Sequence, residues 1–187
     1  MRPWLVGIVW LAWFVLAGAA GHARSRPGDR VDDRGTRVWA DVMMAASLAG
    51  AIAVALAVPG ATISGDPWLT AVLGAAFVLL GIAVRQWAAR TLGRFFTQSV
   101  MIREGHRVIT SGPYRFVRHP GYTGLLVSLV GLALTLGNWL SVVLVVIGFF
   151  AAHLPRIRVE ERVLEENLGD EYREYERTRR RLIPGVW

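Results

Sequence analysis

Four stretches of this chain carry no Asp, Glu, Lys or Arg, and they decide what it can fold into. They are Trp4–Gly21, Val42–Gly65, Pro67–Val84 and Pro120–Pro155. A helix crosses a bilayer with about 20 apolar residues, so the first three stretches supply one span each. The fourth would be about 54 Å long as a single helix, at about 1.5 Å per residue. That far exceeds a hydrocarbon core of about 30 Å. Gly137-Asn138-Trp139 offers the break, with Gly and Asn for a turn and Trp for an interfacial anchor. The expectation is an all-α, polytopic membrane protein with five transmembrane helices, the last two forming a tight hairpin.

The arginines test this count. All 21 basic residues are Arg. Arg24, Arg26, Arg30, Arg34 and Arg37 fall in the first loop, and seven more lie between Arg85 and Arg118. The last eight lie between Arg156 and Arg181. The loop near Pro59–Pro67 and the hairpin turn hold none. Five spans place all but Arg2 on one side, which the positive-inside rule makes the cytoplasm. The N-terminus is then outside and the C-terminus inside. A cleaved leader would also explain Arg2, the apolar run and the small residues Ala19–Ala23, but the run holds three Trp and fits the alternation.

Composition narrows the chemistry. Apolar types make up 53% of the chain, which excludes a disordered protein. With no Cys there is no disulfide, thiolate nucleophile or Cys-ligated metal. With no Lys there is no Schiff base. The net charge of +7 suits the flanks of membrane segments, so no nucleic-acid partner is expected. His22, His106, His119 and His153 lack metal spacing, so no metal is expected. No P-loop, GxGxxG or HExxH is present.

Two segments on the arginine-rich side are too long to be simple connectors. They set a boundary between residues 1–84, holding the first three spans, and residues 85–187, where the functional groups are expected. The tail from Arg156 onward has helical spacing at Val159, Val163, Leu164, Leu168, Tyr172 and Tyr175, with Gly169 a candidate break. Cytoplasmic C-terminal helices are therefore expected.

The densest cluster of chemistry runs from Gly112 to Gly124. Pro120 suits the first turn of a helix, and Arg118 and His119 then precede a helix start, which favours anions. The plain alternative is a belt of snorkelling interfacial side chains. A second cluster, Arg156 with Glu160-Glu161, lies just beyond the apolar run. Residues four apart on a helix can touch, and carboxylates beside a membrane core are costly unless paired or functional. Glu165, Glu166, Glu171, Glu174 and Glu176 read as a solvated face, and His153 as an interfacial packing residue. An antiparallel hairpin returns its ends to one membrane face, so His119, Tyr122, Arg156 and Glu160 should converge there. Such a group suits a polar cofactor and a lipophilic acceptor.

The order GPYRFVRHPGYTG, then a hairpin, then RIRVEERVLEENLGDEYREYERTRRRLIP resembles the isoprenylcysteine carboxyl methyltransferase (ICMT-like) family of integral membrane methyltransferases. The likeness covers roughly Val84 to Pro184, and the DDRGT segment at Asp32–Thr36 looks like a loop of bacterial members. It implies S-adenosyl-L-methionine as cofactor. Residues matching His106, Arg107, Val108, Ile109, Tyr114 and His119, Pro120, Gly121 and Tyr122 would line its site, with Glu160 or Glu161 as a further contact. Family members often carry a polar residue just upstream, for which Gln98 and Ser99 are the nearest candidates. Arg156 would face the substrate.

The chemistry agrees. Glu160 can take the cofactor's ammonium, and Arg118 or a helix N-terminus its carboxylate. His119 and Tyr114 can hydrogen-bond the cofactor. A carboxylate acceptor is already a nucleophile, so Arg156 need only orient it; an amine acceptor would require a base, His119 or Glu161. A Lys-free, Arg-rich composition suggests a GC-rich bacterial genome and hence the inner membrane. Prenylated proteins are not expected there, so the acceptor expected is an isoprenoid or fatty carboxylate. The alternatives are a phospholipid-type N-methyltransferase, an NADPH-dependent membrane reductase and a non-enzymatic membrane protein.

Overall fold

The computed structural model describes residues 7–11, 13, 30–31, 35–63, 65–97, 101–102, 105–185 and 187. Residues 7–11 and 13 are helical, but most of the first apolar stretch, most of the DDRGT segment, and Gln98 and Ser99 lie outside the described residues. Among the described residues, five helices with both ends defined carry the fold. They are α1 (Thr36–Ala57), α2 (Pro67–Leu92), α3 (Pro120–Thr135), α4 (Trp139–Leu168) and α5 (Asp170–Thr178). The described residues are mostly helical, with one short antiparallel pairing of Arg30–Val31 with Met101–Ile102.

The elements begin and end where side-chain chemistry says they should. Asp66 caps α2 by accepting from the Trp68 amide at 2.9 Å, with Pro67 at the first helical position. Asn138 caps α4 by accepting from the Ser141 amide at 3.2 Å. Its amide nitrogen donates across to the Val58 carbonyl at 3.0 Å, and the Ile63 amide donates to Gly137 at 2.8 Å. The two arginine-free loops therefore meet at one end of the bundle. At the other end the Arg118 amide donates to the Arg180 carbonyl at 2.8 Å, joining the two arginine-rich segments.

Three helices among the described residues are long and apolar enough to cross a membrane: α1, α2 with the 3-10 turn that follows it, and α4. The 16-residue α3 is apolar and shorter. The break inside the fourth stretch falls where Gly and Asn suggest it, at Leu136–Asn138, and Gly137 there has a φ of +66°. Pro155 does not end the following helix, which continues to Leu168. A proline inside a helix leaves the carbonyl four residues back without its amide. Here that carbonyl is Ala151, and the Trp39 indole N–H of α1 donates to it at 3.1 Å. Gly169, with φ +57°, ends α4 instead.

The core sits where α2 packs on α3 and α1 on α4, around Leu129, Leu132, Val145 and Phe149, all fully buried. Gly74 and Gly81 of α2 lie one heptad apart and meet Gly131 and Gly124 of α3 at the same spacing. A Cβ added at Gly124 would stand 2.6 Å from the Gly81 carbonyl oxygen, and one at Gly74 2.7 Å from that of Gly131. With no water to expel, helices in lipid associate through such close contact. Gly81→Ala would drive a methyl into Ser128 and the Gly124 backbone. It is expected to cost about 1–3 kcal/mol, read as a lower melting temperature in detergent; an unchanged melt would show that α2 and α3 can separate freely.

Candidate active site

A cavity of about 420 Å³ opens at the arginine-rich end, within the size range of small-molecule sites. Its wall is built from five places in the sequence: the first turns of α1, the end of α2, the 106–109 segment with the Gly112–Arg115 turn, the start of α3, and the second half of α4 with α5. The helical face read from the tail, Val163, Leu164, Leu168, Tyr172 and Tyr175, lines it on one side.

Most of the residues expected from sequence stand in this wall. His106, Arg107, Val108, Ile109, Tyr114, Arg118, His119, Gly121, Tyr122, Arg156 and Glu160 all line it. Pro120 and Glu161 do not; Pro120 is buried beneath the start of α3 and Glu161 points to the strap that follows α5. Antiparallel return of α3 and α4 brings the hairpin's ends together. Tyr122 is the hinge of that meeting: its hydroxyl accepts from Arg156 Nε at 2.9 Å and donates to Glu160 Oε2 at 3.1 Å. Glu160 thus faces the cavity while its neighbour faces away, because successive helical residues point about 100° apart.

Glu161 anchors a buried cluster of charge. Arg181 Nε lies 3.1 and 3.0 Å from its two oxygens, and Arg181 Nη2 lies 2.9 Å from Oε2. His119 Nε2 stands 3.2 Å and Arg118 Nη2 3.3 Å from Oε1. Arg118 also pairs with Glu176. Glu176, whose side chain is 36% exposed, is thus tied inward as well as facing solvent, and two nitrogens of Arg118 are met by carboxylates while its Nε is buried without a hydrogen-bond partner. Sequence could not show this, because the partners come from α4 and α5, 43 and 58 residues away.

Among the wall residues that the sequence reading did not assign to the site are Arg85, His153 and Tyr172. Arg85 of α2 donates through Nη1 to the Gly121 carbonyl at 3.2 Å, and its Nε is buried with no hydrogen-bond partner. Its place inside an apolar helix facing the site was the available signal. His153 lines the cavity, stacked on Phe149 at 4.6 Å and set edge-on to Tyr122 at 5.5 Å. Tyr172 likewise holds a buried hydroxyl without a partner. Burial, then the charge of Glu161, pushes that phenol well above its ordinary range, so it stays a neutral donor.

Tyr175 ties α5 to the turn that carries Tyr114. Its hydroxyl donates to the Tyr114 carbonyl at 2.7 Å and approaches that of Val117 at 3.3 Å. Burial pushes the phenol up to about 12. A phenol whose pKa is raised on folding stabilises the fold fully below its unfolded value near 10 and loses that contribution as pH rises toward 12. Tyr175→Phe is expected to lower stability by about 1 kcal/mol at neutral pH and to flatten the alkaline loss between pH 10 and 12. Parallel alkaline melts in both proteins would contradict it.

These features define a helical membrane protein with a cavity of mixed polar and apolar lining that opens at one end of its bundle. The model of the isoprenylcysteine carboxyl methyltransferase (ICMT) family matches residues 72–166, and the chain belongs to that family. It is therefore an integral, multi-pass membrane protein. A relative from Oryza sativa subsp. indica, named a probable protein-S-isoprenylcysteine O-methyltransferase, is 38% identical over 110 residues, which are 58% of each chain. The protein-S-isoprenylcysteine O-methyltransferase of Saccharomyces cerevisiae is 37% identical over 109 residues, 57% of this chain and 46% of its own. The chain thus spans about half the length of the curated relatives it matches. The solved structure of a eukaryotic intramembrane Ras methyltransferase ICMT superposes with a TM-score of 0.64 at 24% identity, covering 78% of this chain and 52% of that one. It has the same fold.

Proposed function

We propose that this chain is an S-adenosyl-L-methionine-dependent methyltransferase that esterifies a carboxylate on a lipophilic, isoprenoid-like acceptor at the membrane boundary. The observation that carries the reading is the Glu160–Tyr122–Arg156 constellation in the cavity wall, within a family named for carboxyl methyl transfer. The residues fit the cofactor. Glu160 offers a carboxylate to an ammonium, the partnerless Tyr172 hydroxyl offers a neutral donor, and Leu92, Val108, Ile109 and Leu168 offer an apolar bed for a nucleoside. His106, Arg107, Tyr114, His119 and Gly121 complete that wall.

The cofactor when bound supplies a methyl group on a sulfonium cation. The rest is done by the chain. Arg156, and beside it Arg85 with its unpaired Nε, neutralise and orient the acceptor carboxylate. Two cations facing the cavity oppose an ammonium-bearing acceptor, which argues against the phospholipid-amine alternative. The carboxylate needs no base. His119 holds the cofactor side of the wall. Where the two bound reactants displace water from the cavity, the opposing charges that disappear on transfer are not stabilised by solvent beforehand. Holding the two reactants in line contributes much of the remaining acceleration.

The topology proposed with it has five spans, N-terminus outside, C-terminus and cavity on the cytoplasmic side, in a bacterial inner membrane. Residues 85–187 form the catalytic region, with Arg37, Ala40 and Asp41 of α1 added at the rim. The test is equilibrium binding of S-adenosylmethionine and S-adenosylhomocysteine to the detergent-purified protein, with NADPH as control, then transfer of labelled methyl to prenyl and fatty carboxylates. Micromolar binding of both and base-labile label in the lipid fraction are expected. A folded protein that binds NADPH alone would make it a reductase; one that binds none would overturn the enzymatic reading.

A further inference from the structure

We propose that Arg181 and Glu161 are positioning residues that hold the His119 imidazole in the cavity wall, so that the strap after α5 sets the affinity of the cofactor site without lining it. The inference rests on the cofactor reading above. Neither Arg181 nor Glu161 is in the wall, and His119 is.

The geometry is that of a relay. Arg181 grips both oxygens of Glu161 at 2.9–3.1 Å, which fixes the plane of that carboxylate. The plane in turn aims Oε1 at His119 Nε2, 3.2 Å away. A carboxylate only accepts, so Nε2 is the ring nitrogen that carries a proton, and the ring orientation follows. The strap is itself held to the His119 loop. The His119 amide donates to the Arg181 carbonyl at 3.0 Å, and the Thr123 hydroxyl donates to that of Leu182 at 2.8 Å. The Arg181 guanidinium lies over the Trp187 ring, 5.6 Å from its centroid, and that ring meets Phe150 of α4 at 5.7 Å.

Arg118 also faces Glu161, so the carboxylate keeps a cation when Arg181 is changed and the protein still folds. Arg181 is about three-tenths exposed, which makes it the member of the cluster easiest to replace. Its loss frees the carboxylate to turn, and His119 loses a fixed partner.

Two measurements on the detergent-purified full chain test this. In protein labelled with 15N-histidine, Arg181→Gln is expected to move the His119 ring-nitrogen signals, assigned by their loss in His119→Asn, while Arg181→Lys leaves them close to wild type. In equilibrium binding, Arg181→Gln is expected to weaken S-adenosylhomocysteine about tenfold, roughly the worth of one charge-assisted contact, and Arg181→Lys far less. In a His119→Asn background, Arg181→Gln should cost nothing further. Unmoved ring signals in Arg181→Gln overturn the relay, as does an equal loss of affinity with and without His119. Wild-type protein that fails to bind S-adenosylhomocysteine overturns the cofactor reading and the affinity claim with it, whereas wild-type binding unaffected by Arg181→Gln overturns the relay alone.

Discussion

Glu160→Gln is expected to weaken S-adenosylhomocysteine binding by about 100-fold while moving the melting temperature by no more than a few degrees. Glu160 faces the cavity and accepts from the Tyr122 hydroxyl. Glutamine keeps the shape, and its carbonyl oxygen can still accept that bond. What it loses is the charge. A hydrogen bond to a charged group is worth about 1.5–3 kcal/mol, and the upper end applies in a water-poor wall, where an unmatched ligand ammonium would remain buried. About 1.4 kcal/mol corresponds to tenfold in affinity, so the expected loss is near two decades. Isothermal titration and thermal unfolding on one preparation separate the two quantities. Undiminished affinity in Glu160→Gln would remove Glu160 from the cofactor site and with it the observation on which the proposed function stands.

The contrast with its neighbour shows how far sequence alone carries. Uncharged stretches and the alternation of arginines were enough to place the apolar helices seen among the described residues, the turn at Gly137 and the two opposite ends, though not the end of α4. Those are properties of local composition and of a periodic burial requirement. The meeting of His119, Tyr122, Arg156 and Glu160 also followed, because an antiparallel hairpin leaves no other arrangement for its ends. The facing of Glu160 against Glu161 did not follow. Adjacent residues on a helix diverge by about 100°, and which one meets the cavity depends on the rotation of α4, set by its packing on α1 and α3. Arg85, His153 and Glu176 were missed for the same reason. Each takes its role from a partner far away in the chain, such as Gly121 for Arg85 and Arg118 for Glu176. The helix through Pro155 was hidden likewise, since its freed carbonyl is satisfied by Trp39, more than a hundred residues earlier.

Glu161→Ala is expected to act on folding first. Its carboxylate is buried and faces Arg118, Arg181 and His119 together. Removing one member of a buried ion cluster destabilises by about 3–5 kcal/mol, because the partners remain and their charge is no longer met. Arg118 keeps Glu176, which softens the loss on that side. Arg181 keeps its position over Trp187 but no carboxylate, and the strap loses its ionic tie to α4, keeping only the Trp187–Phe150 contact there. The loop at Val117–His119 then keeps its backbone bonds to Arg180 and Arg181, the Tyr175 hydroxyl at the Val117 carbonyl and the Arg118–Glu176 pair. The expected result is a fall in melting temperature much larger than that of Glu160→Gln, with binding by the protein that remains folded also weakened because His119 loses its partner. Glu161→Ala combined with Arg181→Leu should recover part of the stability, since it removes a stranded cation along with the anion that met it. Two adjacent glutamates would then fail in different ways, one in affinity with the fold intact and one chiefly in stability. A Glu161→Ala protein that melts within a few degrees of wild type would show that the buried cluster does not hold the strap in place.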